Sequence, residues 1–215
     1  MWEKGVPRFL AVIFLLQIAT AVGVVGLYFR DKVEPRAPAG SVAENADSPS
    51  GEEGSELKKI SAPGLENVYQ VTPELFRGAQ PTAQGLAHLK TLGVKTVVNL
   101  RSLHSDRDEI GESALAYERI RFDPWKSPEI PEIVRFLHIV GDPNRTPVFV
   151  HCRHGMDRTG FMCAAYRVVF CGWSKEAAIR EWRDIGFHED FYESYVTFLK
   201  NLDVEAVTKR AGLKP

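Results

Sequence analysis

The sequence predicts an α/β domain in which a central, mostly parallel sheet is flanked by helices. Short β-branched runs of strand length, 94-VKTVVNL-100 and 147-PVFVH-151, alternate with longer segments whose apolar residues recur at helical spacing. The 147–151 run has no polar side chain before His151, as a strand buried on both faces requires. Apolar residues make up 44% of the 215, enough for a packed core.

Taken in order, the chain opens with a segment that belongs outside this domain. Phe9–Phe29 is nearly all apolar and uncharged, with Lys4 and Arg8 before it and Arg30 and Lys32 after it. As a helix it spans about 30 Å, the thickness of a bilayer core. Residues 1–30 therefore read as a transmembrane signal-anchor. Ala19-Thr20-Ala21 has the small-x-small form of a cleavage site, so a cleaved secretory signal is the rival reading. Basic residues at both ends orient the segment only weakly, and a short basic amino terminus kept inside exports the rest of the chain. Residues 31–64, rich in Pro, Ala, Gly, Ser and Glu, cannot bury enough surface to offset their ordering entropy and read as a flexible linker.

The domain is expected over 65–203, with 204–215 as a tail. The stretch 66-ENVYQVTPELFRGAQP-81 alternates as two short strands about a Thr72-Pro73 turn. Thr82 caps a helix with Leu86, Leu89 and Leu92 on one side and Gly93 as its stop. After the 94–100 strand, the charged stretch 104–118 is helical in part and 119–122 is a short strand. The helix 129–140 turns Ile130, Ile133, Val134, Leu137 and Val140 inward. The segment 159-TGFMCAAYRVVFC-171 is apolar nearly all round, as a buried helix should be. Ser174 caps a helix over 175–185, and a last one runs over 189–202.

Composition excludes some functions. The net charge is −1 and Lys and Arg are scattered, so no nucleic-acid partner is expected. Three cysteines, Cys152, Cys163 and Cys171, are too few and too close for a disulfide framework.

The chemistry concentrates in 150-VHCRHGMDRTGF-161, between the 147–151 strand and the buried helix. His151, Cys152 and His154 have metal-ligand types, but no second cluster at ligand spacing accompanies them, and no metal or cofactor is expected. A strand–loop–helix unit instead aims the free N–H groups and partial positive charge of a helix N-terminus at whatever the loop holds. The amides of Arg153, His154, Gly155, Met156, Asp157 and Arg158 can curve around an oxyanion, with Gly155 supplying the positive φ. Arg158 can add a bidentate fork to two phosphate oxygens. Cys152 lies at the base, where a positive field favours the thiolate, the nucleophilic form. The Thr159 hydroxyl can hydrogen-bond that sulfur. A thiolate under a phosphate cradle attacks phosphorus, forms a cysteinyl-phosphate, and is freed by water.

His151-Cys152-x5-Arg158-Thr159-Gly160 resembles the H-C-x5-R-[ST]-G signature of the cysteine-dependent protein tyrosine and dual-specificity phosphatases. The stretches 75–101 and 166–187 look like the small, exported bacterial members, and the resemblance covers roughly residues 66–200. It implies a phosphorylated protein, or else a phospholipid or inositol phosphate, as substrate. It also implies that His151 orients Cys152 from behind, and that a general acid protonates the leaving oxygen. Asp123, opening the loop after the 119–122 strand, stands where dual-specificity phosphatases keep that acid, although 123-DPWKSPE-129 departs from the usual loop and leaves Glu129 as another choice. Asp157 is the third: Cys152-x-x-Gly155-x-Asp157-Arg158-Thr159 is a pattern of some bacterial and lipid phosphatases, with the aspartate implicated in proton transfer. Trp125 either packs under its loop or stacks on substrate, Arg101 either lines the pocket or ends a strand, and His188 with Glu189 either orders the hydrolytic water or starts the last helix. Cys163 and Cys171 read as core.

A reporter fused after Pro215 tests the membrane reading. Alkaline phosphatase activity is the expected result, and fluorescence of a cytosol-only reporter refutes export.

Overall fold

The computed structural model describes residues 57–214, apart from Glu112 and Pro124. The expected transmembrane segment and most of the expected linker lie outside the described residues. Among those described, no helix is long and apolar enough to cross a membrane.

Six strands form one mixed sheet. They are β1 (Lys58–Ala62), β2 (Leu65–Thr72), β3 (Leu75–Gly78), β4 (Thr96–Arg101), β5 (Ala116–Phe122) and β6 (Val148–His151), arranged β1-β2-β3-β6-β4-β5. β3, β6, β4 and β5 run parallel, while β1 and β2 extend the sheet antiparallel on the β3 side. The parallel block is the sheet the sequence led us to expect. The antiparallel extension is larger than expected, because β1 lies inside the segment read as linker. Its sequence, KKISA, is too short and too polar to show an alternating pattern, and lysines on an edge strand guard it against pairing with other chains.

The helices are α1 (Ala83–Thr91), α2 (Arg107–Ile110), α3 (Ile130–Val140), α4 (Asp157–Phe170), α5 (Lys175–Asp184), α6 (Glu189–Lys200) and α7 (Val204–Arg210). Thr82 caps α1 by accepting the Gly85 N–H at 3.2 Å, and Ser174 caps α5 by accepting that of Ala177 at 3.1 Å. Leu86 and Leu89 are buried as expected, whereas Leu92 sits at the C-cap of α1 and is exposed. α7 corrects the expectation of a tail over 204–215. Asp203 accepts the Ala206 N–H at 2.9 Å, and Val207 and Ala211 are buried. One buried residue within the helix and a buried C-cap are too few to read as a periodic pattern.

Strand alternation divides the core in two. Val148 and Val150 of β6, Val98 and Leu100 of β4 and Leu75 of β3 face the larger cluster with α3, α4, α5, α6 and α7. Phe149, Val97 and Phe76 face the smaller cluster with α1. β6 is central, and all four of its residues are buried. The fully buried Phe161 ring of α4 contacts those of Phe122 at 5.8 Å, Tyr195 at 5.5 Å and Trp182 at 6.0 Å, tying α4, α5, α6 and β5 together. The one charged residue buried in mid-α4, Arg167, is held by Glu181 of α5 through contacts of 2.7 and 3.1 Å, a bidentate pair that compensates its burial.

Register then fixes the site. His151 lies beside Gly78 of β3 and Asn99 of β4. The C-terminal ends of the four parallel strands share one edge of the sheet, and the chain leaves β6 there, at Cys152, to enter α4. The crevice at the carboxyl ends of parallel strands is where open α/β sheets hold ligands.

Candidate active site

Residues 152–156 turn from β6 into α4 as a loop whose every carbonyl has a partner outside it. His151 Nδ1 lies 3.1 Å from the Cys152 carbonyl. The Arg153 carbonyl accepts the Gln80 N–H at 3.2 Å, and that of His154 accepts Asn67 Nδ2 at 3.2 Å. Arg77 Nη2 donates to the Gly155 carbonyl at 2.7 Å. The Met156 carbonyl accepts Trp182 Nε1 at 3.1 Å and the Gly160 N–H at 2.8 Å. With the carbonyls engaged outward, the loop amides are left to the inside, and the Gly155 N–H donates to Cys152 Sγ at 3.3 Å. Such a ring of inward amides is an anion cradle. Gly155 has φ +76, and a Cβ there would run into the backbone of Gly78 and Ala79, so the curve needs glycine twice over. The Arg77 guanidinium is itself buried, which places a positive charge under the cradle where solvent screens it little.

Behind Cys152 lies a second network. His151 Nε2 is 2.7 Å from Asp106 Oδ2, with both side chains fully buried. Asp106 Oδ1 accepts Asn99 Nδ2 at 2.9 Å and Gln80 Nε2 at 2.8 Å, and the Asp106 N–H donates to Tyr117 Oη at 3.2 Å. Burial opposes ionisation of Asp106, but the hydrogen bond and electrostatic attraction of His151, the Gln80 bond and His104 outweigh it, so the carboxyl is held below its ordinary value. His104, Asp106 and Glu109 bring three ligand-type atoms within 4.8 Å of one another. Asp106 Oδ1 already accepts two amide bonds, and His104 Nε2 stands 3.4 Å from Glu109 Oε1, so the arrangement reads as an ion-pair cluster braced against the network.

Beside the loop, at His154 and Asp157, is a cleft of about 400 Å³ lined also by Trp125, Lys126, Ser127, His188, Tyr192, Ser194 and Tyr195. Asp157, the first residue of α4, is nearly buried, and its Oδ1 accepts the His188 N–H at 3.0 Å and meets His188 Nδ1 at 3.1 Å. Burial raises the Tyr192 phenol, and the charges of Asp157 and Cys152 raise it further against Arg158, so its ring stands among the site's charged groups. Arg158 Nη1 lies 3.4 Å from the carbonyls of Leu100 and Phe122, at the ends of β4 and β5. The guanidinium of Arg101 is lowered by burial and then by the charges of Arg153 and Arg158, so three arginines crowd one side of the cradle. Arg101 also donates to Gln80 Oε1 at 3.1 Å.

The expected residues thus fall into groups. Cys152, Arg153, His154, Gly155, Met156, Asp157 and Arg158 form the loop and the start of α4; His151 supports it from behind; and Thr159 is buried beneath, with a hydroxyl that has no hydrogen-bond partner among the described residues. The Asp123 carboxylate accepts the Trp125 N–H at 3.0 Å in its exposed loop, and its carbonyl accepts the Tyr195 hydroxyl at 3.2 Å. The Glu129 side chain caps α3 in a capping box with Glu132. Trp125 is 89% exposed at the mouth of the cleft, so it does not pack under its loop. Sequence reasoning did not find Asn67, Arg77, Gln80, Asn99, Asp106 and Trp182. The buried Arg77 in the apolar run LFRG was the one signal available, since a strand so apolar has no solvent-facing side for a charge.

The comparisons with known proteins agree with this geometry. A family model described as a DSP-PTPase phosphatase fused to NAD+ kinase matches residues 61–189. The chain is 34% identical over 144 residues to the dual specificity protein phosphatase TpbA of Pseudomonas aeruginosa, a match covering 66% of this chain and 65% of that protein. The aligned part therefore spans a little less than two thirds of that relative's length. The crystal structure of TpbA superposes with a TM-score of 0.62 at 30% identity, covering 73% of this chain and 96% of that one, and a Cys-to-Ser variant of TpbA in complex with pTyr does the same. The inositol diphosphatase DSP5 of Arabidopsis thaliana is 23% identical over 145 residues, 58% of this chain and 69% of that protein.

The Asp106 network predicts a pH dependence. A carboxyl lowered on folding adds stability above its unfolded value of about 3.9, and that contribution fades as pH falls through the folded value. Asp106→Asn should cost about 3–5 kcal/mol at neutral pH, because it breaks a buried pair. The gap to the parent in urea denaturation should narrow below about pH 4. A gap that stays constant into strong acid contradicts this.

Proposed function

This chain belongs to the DSP-PTPase phosphatase family, and on that premise we propose that it hydrolyses phosphomonoesters through a cysteinyl-phosphate intermediate. The observation that carries the reading is the 152–156 loop, with its carbonyls engaged outward, its amides turned in and Cys152 Sγ at its base. The substrate phosphate enters the cradle and Arg158 swings from the strand-end carbonyls to grip two of its oxygens. The thiolate attacks phosphorus, the S–P bond forms, and the P–O bond to the substrate breaks. Asp123, at the start of the loop over the cleft, gives its proton to the leaving oxygen. Water then attacks the cysteinyl-phosphate, and the sulfur leaves as thiolate, stabilised by the Gly155 N–H and by the free hydroxyl of Thr159. Every charge in this sequence is met by the chain's own groups.

The substrate class proposed is a phosphorylated protein, phosphotyrosine first and then phosphoserine or phosphothreonine. Likeness to TpbA, and the pTyr complex of its variant, support it. Trp125, exposed at the rim, offers a face for an aromatic ring to stack on. A second reading, an inositol phosphate or lipid phosphate, is favoured by Arg101 and Arg153, which stand beside Arg158 and could take further phosphate groups. We place the domain outside the cytoplasm, tethered by the apolar Phe9–Phe29 segment.

Cys152→Ser should abolish hydrolysis of p-nitrophenyl phosphate and still bind vanadate; an active variant defeats the mechanism. In a panel of phosphopeptides and soluble inositol phosphates, kcat/KM should be at least about tenfold higher for phosphotyrosyl peptides, a difference of about 1.4 kcal/mol in transition-state binding. The reverse order, lost on Arg101→Ala or Arg153→Ala, establishes the second reading instead.

A further inference from the structure

The second chemical step needs a base to take a proton from the attacking water, and we propose that His188, oriented by Asp157, is that base. The inference rests on the cysteinyl-phosphate reading above and adds a residue to it.

Asp157 Oδ1 meets two nitrogens of the same residue, the backbone N–H of His188 at 3.0 Å and its ring Nδ1 at 3.1 Å. The backbone bond is what a helix start alone needs, since His188 is the N-cap of α6 and its amide would otherwise lack a partner. The ring contact is not required for that. It fixes the imidazole with its Nδ1–H on the carboxylate, which makes Nε2 the lone-pair nitrogen. A carboxylate holding one ring nitrogen so that the other can accept a proton is the arrangement by which histidine serves as a general base. The ring is 52% exposed, and both residues line the cleft beside the cradle loop.

The nearly buried Asp157 is poorly placed to take the proton itself. Its Oδ1 is occupied twice, by the backbone and the ring of His188, which leaves it to orient that ring rather than to meet the water. An imidazole that takes the proton becomes a cation next to the bound phosphate, so the field of the site favours the transfer. Among the described residues, the other titratable groups facing the same cleft are His154 from the cradle loop, Lys126 from the loop after β5, and Tyr192 and Tyr195 from α6. Tyr192 and Tyr195 are held protonated by burial, Lys126 is a cation, and His154 has no carboxylate against its ring among the described contacts. His188 is the one with a carboxylate to orient it.

When the leaving group departs, water takes its place in the cleft, opposite the sulfur. The water oxygen forms a bond to phosphorus as the S–P bond breaks and its electron pair returns to Cys152 as thiolate. One water proton passes to His188 Nε2, and the imidazolium is held by Asp157 until it releases the proton to solvent. Asp123 serves the first step and His188 the second, so their losses should look different.

Rapid-mixing kinetics with p-nitrophenyl phosphate separate them. In His188→Ala the backbone bond to Asp157 remains, so the fold of the α6 start is kept. The variant should release nitrophenolate in a burst approaching one equivalent per enzyme, then turn over about a hundredfold more slowly than the parent, within the usual range for loss of a general base. Acid quenching should trap phosphate on the Cys152 peptide, detected by mass, and added imidazole should restore the slow phase. His188→Gln, which keeps a donor for Asp157 but no base, should behave as His188→Ala, and Asp157→Asn should show a smaller burst of the same kind. Burst and steady state slowed equally, or full turnover in His188→Gln, overturns the assignment and makes the ring a structural cap. A parent enzyme with no phosphatase activity on any aryl phosphate removes the underlying reading, and this inference with it.

Discussion

Every carbonyl of the Cys152–Met156 loop is engaged from outside, and the rest of the site depends on that constraint. The turn is only partly exposed, at Arg153 and His154, and protein groups meet each of its carbonyls. The partners come from six places: His151 itself, Asn67 of β2, Arg77 of β3, Gln80 just after β3, Trp182 of α5 and the Gly160 amide of α4. Their combined effect is to leave the amides nowhere to point except toward Cys152. An oxyanion then meets donors already in place, which is the condition for electrostatic stabilisation without reorganisation during reaction.

The two sides of the loop play different parts. Behind it, the His151–Asp106 pair with Asn99, Gln80 and Tyr117 is buried and fully hydrogen-bonded, so it fixes the base of the loop rigidly. On the other side the cleft is open, and its groups are partly solvated and include those proposed to carry the proton chemistry. Gln80 joins the two sides. Its backbone N–H holds Arg153, its amide group holds Asp106, and its carbonyl oxygen takes Arg101. A single residue therefore links the cradle, the support behind it and the arginines beside it.

The cradle was legible in the sequence because it is local. Cys152, Gly155 and Arg158 fall within one loop, and the apolar runs on either side announce the strand and the helix. The partners that shape it were not legible, because they lie far away along the chain: 78 residues from Arg77 to Gly155, 87 from Asn67 to His154 and 45 from Asp106 to His151. Asp106 looked like one more charge in a charged stretch. β1 and α7 escaped for a different reason, since an edge strand with two lysines and a two-turn helix with one buried residue lack enough repeats for a period to emerge. The parallel block of the sheet, whose strands are strongly apolar, was plain from composition alone. The proton donors and acceptors stood in between: Asp123 and Asp157 were both visible as carboxylates, but only the fold shows that Asp157 holds His188 and that Asp123 caps its own loop.

The central claim is that the cradle is built before the phosphate arrives. A high-resolution crystal structure of the enzyme with and without tungstate tests it most directly. The account predicts that the main chain of residues 152–158 superposes in the two states, with Asn67, Arg77, Gln80 and Trp182 on the same carbonyls and only Arg158 moved. A peptide flip at Gly155 on binding, with the Arg77 bond broken or newly made, would contradict it.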